Sequence, residues 1–239
     1  MKHPAQPLAA TAFMLLTLFA TATLAADSRE TRPVAGFSGI DLGVPAKLEI
    51  IQGETESLAL QGPADVLADI ETIVRNDGVL LIRKRTPGSW PWRTGVKGVV
   101  HMKRVESVGI SGSGDIVART LRSPKLTLAI SGSGDIDVPS LETESALVAI
   151  SGSGDVRIAG RATNISSTIS GSGDVKAEKL ETRKATVNIA GAGDVALWVR
   201  DSLAVKIAGS GDVRYYGDPS IEKRIMGSGS VKRLGSAPS

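Results

Sequence analysis

The sequence predicts an all-β protein: a single-stranded parallel β-helix (β-solenoid) with coils of about 20 residues and Gly-Ser-Gly-Asp corners. Three observations carry that prediction. One hexapeptide recurs seven times, as Ser-Gly-Ser-Gly-Asp-Ile from Ser111 and Ser131 and Ser-Gly-Ser-Gly-Asp-Val from Ser151 and Ser170, with looser copies from Ala190, Ala208 and Met226. Successive starts lie 20, 20, 19, 20, 18 and 18 residues apart, a period that marks stacked units. Apolar residues also alternate on both sides of each copy. Ile110, Ile130, Ile150, Ile169, Ile189, Ile207 and Ile225 precede it, and Ile116, Ile136, Val156, Val175, Val195, Val213 and Val231 follow. Spacing of two around a Gly-rich corner means two short strands per unit. A unit of this size cannot bury its own apolar row, so coils must stack into a continuous core. A leucine-rich repeat shares the period, but its spaced leucines and Asn position are missing.

The elements follow in chain order. Residues 1–25 read as a signal peptide, with Lys2 and His3 ahead of an apolar run to Leu24 and small residues at Ala25-Ala26. The run is short for a membrane span, so export is expected, to the periplasm or the medium, with no span left after cleavage. Residues 26–36 are polar and read as a flexible lead-in. Residues 37–104 read as irregular opening coils or a cap. A strand pair broken at Pro45 comes first, then a short strand at Ser57 to Gln61 and a helical turn capped by Asp65. A hairpin turns at Asn76-Asp77-Gly78, and a Pro/Gly-rich loop carries Trp90 and Trp92. Residues 105–234 are the repeat array, and 235–239 a tail. In the last coil Lys223 takes an inward position and Ser230 replaces Asp, as expected of an end that must not stack further.

Composition narrows the function. Net charge is +3, too small a field for nucleic acid in the absence of a basic stripe with interleaved aromatics. No cysteine is present, which removes disulfides, thiolate metal sites and a Cys nucleophile. His101 is the only histidine beyond the signal segment and sits in an ordinary strand pattern, so nucleophilic catalysis has no support and no cofactor is implied.

Three sets of residues are candidates for a site. The column Asp115, Asp135, Asp155, Asp174, Asp194 and Asp212 should repel itself unless neutralised. The reading favoured is that each carboxylate caps a backbone N–H of its own corner. The alternative is Ca²⁺, as in repeat-in-toxin coils, although those repeats are nine residues long and use paired loops. Trp90 and Trp92 either pack over the open end of the core or stack on a sugar or protein partner. Lastly, the strand before each corner turns outward small, nearly uncharged residues, including Thr127, Ala129, Leu147, Ala149 and Thr168. Such a face suits docking with another chain or an extended ligand; equally, small residues suit a tight ladder.

The repeat, together with Phe37-Ser38-Gly39-Ile40-Asp41-Leu42, Leu48-Glu49-Ile50-Ile51-Gln52-Gly53 and Asp77-Gly78-Val79-Leu80-Leu81-Ile82, resembles the head GIN domain family of autotransporter adhesins over roughly residues 37–234. The resemblance implies a β-helix related in shape to pectate lyases without their catalytic residues, and an adhesive role. The expected function is thus a non-enzymatic exported β-helix that presents a binding surface at the cell envelope. Its expected partners are a second copy of itself or a protein or glycan ligand. A carbohydrate-active β-helix enzyme, which would need an acidic cluster in a groove, and a calcium-dependent rod are the alternatives.

Overall fold

The computed structural model describes residues 27–86, 88 and 95–238. The signal segment 1–25 and both Trp90 and Trp92 lie outside the described residues. The first part of the chain forms β1 (Asp27–Arg32), β2 (Gly39–Leu42), β3 (Lys47–Gln52), β4 (Ser57–Pro63), the helical turn α1 (Ala64–Ala68), β5 (Ile70–Val74), β6 (Val79–Lys84) and β7 (Lys97–Met102). The array forms β8 (Ser107–Ile110), β9 (Asp115–Ala118), β10 (Leu121–Ile130), β11 (Ile136–Ile150), β12 (Val156–Ile169), β13 (Val175–Gly191), β14 (Val195–Gly209), β15 (Val213–Tyr216), β16 (Ser220–Gly227) and β17 (Val231–Gly235). The array strands pair in parallel, coil upon coil, into the solenoid that the repeat predicts.

Each coil has three sides, not two. Along β11 the buried positions run Ile136, Val138, then Leu141, Thr143, then Ala146, Val148, Ile150. The alternation slips by one residue at Pro139-Ser140 and again at Glu144-Ser145. Two successive outward residues turn the strand through a corner without breaking its ladder. We call the side after the Gly-rich corner face A, the short middle side face B, and the side leading into the next corner face C.

The isoleucine row fills the interior. Ile110, Ile130, Ile150, Ile169, Ile189 and Ile207 are all buried. Inward on face C, Leu128, Val148, Ser167, Val187 and Val205 lie in register. The corners require glycine for contact, not only for turning. A Cβ on Gly134 would lie 1.7 Å from the Gly114 carbonyl oxygen of the preceding coil, so any side chain there forces the coils apart.

The first third differs from its reading in three respects. Residues 27–32 are not a flexible lead-in but β1, paired antiparallel along β4 from Asp27↔Pro63 to Arg32↔Leu58; an open strand edge gains its ladder bonds when a polar strand covers it. Asp65 lies in the first turn of α1, and Pro63 holds the N-cap position with no side-chain cap. The strands also stack out of chain order. β2 lies between β6 and β8, and β3 between β7 and β9, so the earliest coil is inside the stack. The rod is closed at this end by the antiparallel strands β1, β4 and β5, with Val66, Leu67 and Ile70 buried beneath them. The hairpin of β5 and β6 turns at Gly78, whose φ is +77°. On face B the first rung is a side chain: Gln52 Nε2 donates to the Arg122 carbonyl at 2.9 Å, and its Oε1 accepts from the Arg122 N–H at 2.8 Å.

At the other end β16 and β17 are mostly exposed. Lys223 continues the Val205 column, as the sequence indicates.

Candidate functional site on the outer faces

The corner carboxylates form a relay from coil to coil. The backbone N–H of Asp155 donates to Asp135 Oδ1 at 2.9 Å, that of Asp174 to Asp155 Oδ1 at 3.1 Å, that of Asp194 to Asp174 Oδ1 at 2.9 Å, and that of Asp212 to Asp194 Oδ1 at 2.9 Å. This corrects the expectation that each Asp serves its own corner. The physical reason is an unmatched donor. The N–H of Ile136 donates to the Asp155 carbonyl at 2.9 Å, but the Asp155 N–H meets no carbonyl in return. A carboxylate one coil earlier supplies the acceptor, and a charged acceptor strengthens the bond.

The second oxygen faces cations from face A. Arg157 reaches Asp135 Oδ2 at 3.1 Å and Asp155 Oδ2 at 3.2 Å; Lys176 reaches Asp155 Oδ2 at 2.6 Å, and Arg214 reaches Asp194 Oδ2 at 3.0 Å. Burial by itself would raise the Asp155 carboxyl, but Lys176, the Asp174 N–H and Arg157 outweigh it and hold it below the ordinary carboxylate value. For Ca²⁺ to bind here, both kinds of bond would have to give way. Among the described residues no group of three or more His, Asp or Glu side chains is placed to hold a metal.

Face C brings the predicted contact residues together. Thr127 registers with Leu147, and Ala129 with Ala149 and then Thr168. They form two adjacent outward columns on one regular sheet. Leu147 is 37% exposed. The outward column of Ala129 carries charge at Asp41, which Leu81 flanks on its other side, and again at Lys206 and Arg224, so the neutral run through Ala129 and Ala149 spans Gly109 to Asn188.

Face B carries residues that the sequence reading passed over. Arg122, Glu142, Arg161, Glu181, Trp198 and Tyr216 lie in one outward column. Arg122 pairs with Glu142 at 3.2 Å, and Glu181 is shared by Arg161 at 3.8 Å and Arg200 at 2.8 Å. Beside the column runs a groove of about 480 Å³ lined by Glu142, Arg161, Glu181, Arg183 and Arg200 together with threonines. Its acids sit two coils apart with Arg161 between them. That is an alternating charge column, not the acidic cluster a glycosidase requires. A signal was present: Arg122, Glu142, Arg161 and Glu181 follow one another at 20, 19 and 20 residues, the period of the corners.

With that geometry in view, the family is decided by a family model described as "Putative auto-transporter adhesin, head GIN domain", which matches residues 36–219. The chain belongs to the head GIN domain family. Solved structures share its fold. A "putative adhesin" from Bacteroides fragilis superposes with a TM-score of 0.83 at 22% identity, covering 87% of this chain and 97% of the other. A second "putative adhesin", from Parabacteroides distasonis, gives 0.69 at 21%, covering 87% and 97%. A protein from the same species named "putative lipid binding protein" gives 0.69 at 23%, covering 87% and 96%. No curated protein matches the sequence. Among the described residues no helix is long and apolar enough to cross a membrane.

Proposed function

We propose that this head GIN domain protein is an exported, non-enzymatic solenoid that works by presenting its faces to partners at the cell envelope, and that face C is where it docks. The supporting observation is the register of face C. Thr127, Leu147, Ala129, Ala149 and Thr168 form a continuous strip on ladder-fixed backbone, so little ordering entropy is lost when a partner covers it. The acids of faces A and B support a scaffold and not a catalyst, since those at the corners and in the groove repeat along the rod and are held by cations or N–H groups.

The partner that face C fits best is a second copy of the chain, because an uncharged strip meets itself at low desolvation cost. Light scattering tests it. The unaltered protein should self-associate, and Ala129→Lys with Ala149→Lys should give a monomer with unchanged circular dichroism. A monomeric unaltered protein at high concentration would overturn self-docking.

A further inference from the structure

We infer that face B carries a binding site for an acidic glycan, an extended sugar chain with carboxylate groups, lying along the rod axis. The site is separate from face C and does not depend on how that face is used.

The argument begins with charge. Among the described residues Glu181 is the one carboxylate shared by two guanidiniums, Arg161 and Arg200, at 3.8 and 2.8 Å. Arg183, also on the groove, is matched by Asp201 at 2.8 Å, and Glu142 by Arg122. The local count therefore leaves one positive charge around Glu181. It is most available on Arg161, whose side chain is 83% exposed and whose contact is the longer one. A planar guanidinium in that state takes a carboxylate as a two-point fork.

The next step is shape. β14 runs straight through the corner that β13 makes at Glu178-Lys179, since Ala177 registers with Leu197 and Glu181 directly with Trp198. Trp198 is thereby placed outward beside Glu181, half-buried, with Tyr216 in register one coil further on. Two aromatic side chains one ladder step apart, about 4.8 Å, offer an apolar platform with polar edges. Sugar rings stack their C–H faces on such platforms and pair their hydroxyls with flanking Arg and Glu. The coil rise is close to the length of one pyranose residue in an extended chain, so successive sugars meet successive coils. An acidic peptide would use the arginines but not the aromatic pair.

The test uses the full mature chain with oligomers of galacturonate as the probe, dextran oligomers as the neutral sugar and polyglutamate as the sugar-free polyanion. With Trp90 and Trp92 changed to Phe, Trp198 is the remaining tryptophan and reports binding directly. Galacturonate oligomers should shift its emission. Arg161→Ala should weaken binding about tenfold or more while leaving the melting temperature unchanged, and Trp198→Phe should weaken it with the fold intact by circular dichroism. No emission shift and no binding heat at millimolar oligomer would overturn the inference. So would equal binding of polyglutamate, which would reduce the site to charge, equal binding of dextran, which would remove the role of the carboxylate, or full affinity in Arg161→Ala.

Discussion

The coil ending at Ile150 and the coil ending at Ile225 obey one repeat and meet different fates. Ile150 is buried, with a coil on either side; Ile225 occupies the same register position and is only partly covered. Asp155 accepts an N–H from the following coil and two cations besides. At the corresponding place in the last coil stands Ser230, whose N–H and hydroxyl both donate to Asp212 Oδ1 at 2.8 and 2.9 Å and whose side chain holds no cation. The same residue types thus do different work according to whether a neighbour covers one side or both. A repeat's stability lies largely in its interfaces.

That contrast is broken most severely at the corners. Gly134→Ala places a Cβ 1.7 Å from a carbonyl oxygen in a coil clamped from both sides, and should cost more than about 4 kcal/mol, leaving little folded protein. Gly229→Ala meets the Gly211 oxygen at 2.3 Å, but the last coil is free to lift away. Its loss should appear as faster hydrogen exchange confined to β16 and β17. Equal loss of global folding in both variants would show that the end coil is as constrained as the middle.

Next in size is the isoleucine row. Ile150→Ala should cost about 2–5 kcal/mol by chemical denaturation, and Ile225→Ala less than about 1.5 kcal/mol, because cavity cost scales with how completely the site is enclosed. Comparable midpoints for the two variants would contradict the assigned burial.

A smaller effect of opposite sign is expected in one inward column. Ser167 and Lys223 are its two polar members. Ser167 is fully buried and its hydroxyl has no hydrogen-bond partner; Val148 and Val187 fill the same place in the adjoining coils. Ser167→Val should therefore raise stability by about 1 kcal/mol, since an unmatched buried hydroxyl is costly. Lys223→Val should leave the denaturation midpoint nearly unchanged but increase association, as a charge is lost from an open strand edge.

The smallest effect is in pH. The folded-state value of Asp155 is depressed, so its stabilisation is present above the unfolded value of 3.8 and is lost as pH falls through the folded value. Asp155→Asn should flatten the acid limb of the stability profile below about pH 4. An unaltered slope would mean that the Lys176 and Arg157 contacts are screened in solution.

Much of the rod was legible because its signals are periodic. The isoleucine row and the glycine corners recur often enough to fix strand, period and inward register. The third side was not, since Leu141 and Thr143 are separated from their neighbours by phase slips that read as loss of pattern. β1 was missed because Ser28 and Glu30 carry no apolar alternation; it exists to cover β4. The direction of the aspartate bonds was hidden too, because bonding within a corner and bonding between coils demand the same residue at the same place. The face B column needed the register shift at Ala177/Glu181, which no spacing rule supplies. Face C was legible as a strip, since alternation alone assigns Ala129 and Ala149 to the outside.

The aspartate relay has a sense of direction. Each carboxylate is presented forward, so one coil carries a side-chain acceptor for the N–H of the next, and the next coil answers with its aspartate carbonyl, which accepts an N–H from the coil before. Lengthening the rod by duplicating a coil is therefore chemically simple anywhere in the run from Asp135 to Asp212, since a copied coil brings both the carboxylate and the carbonyl that its neighbours need. Ser230 acts as a chain terminator: it consumes the last acceptor and presents no carboxylate to a successor.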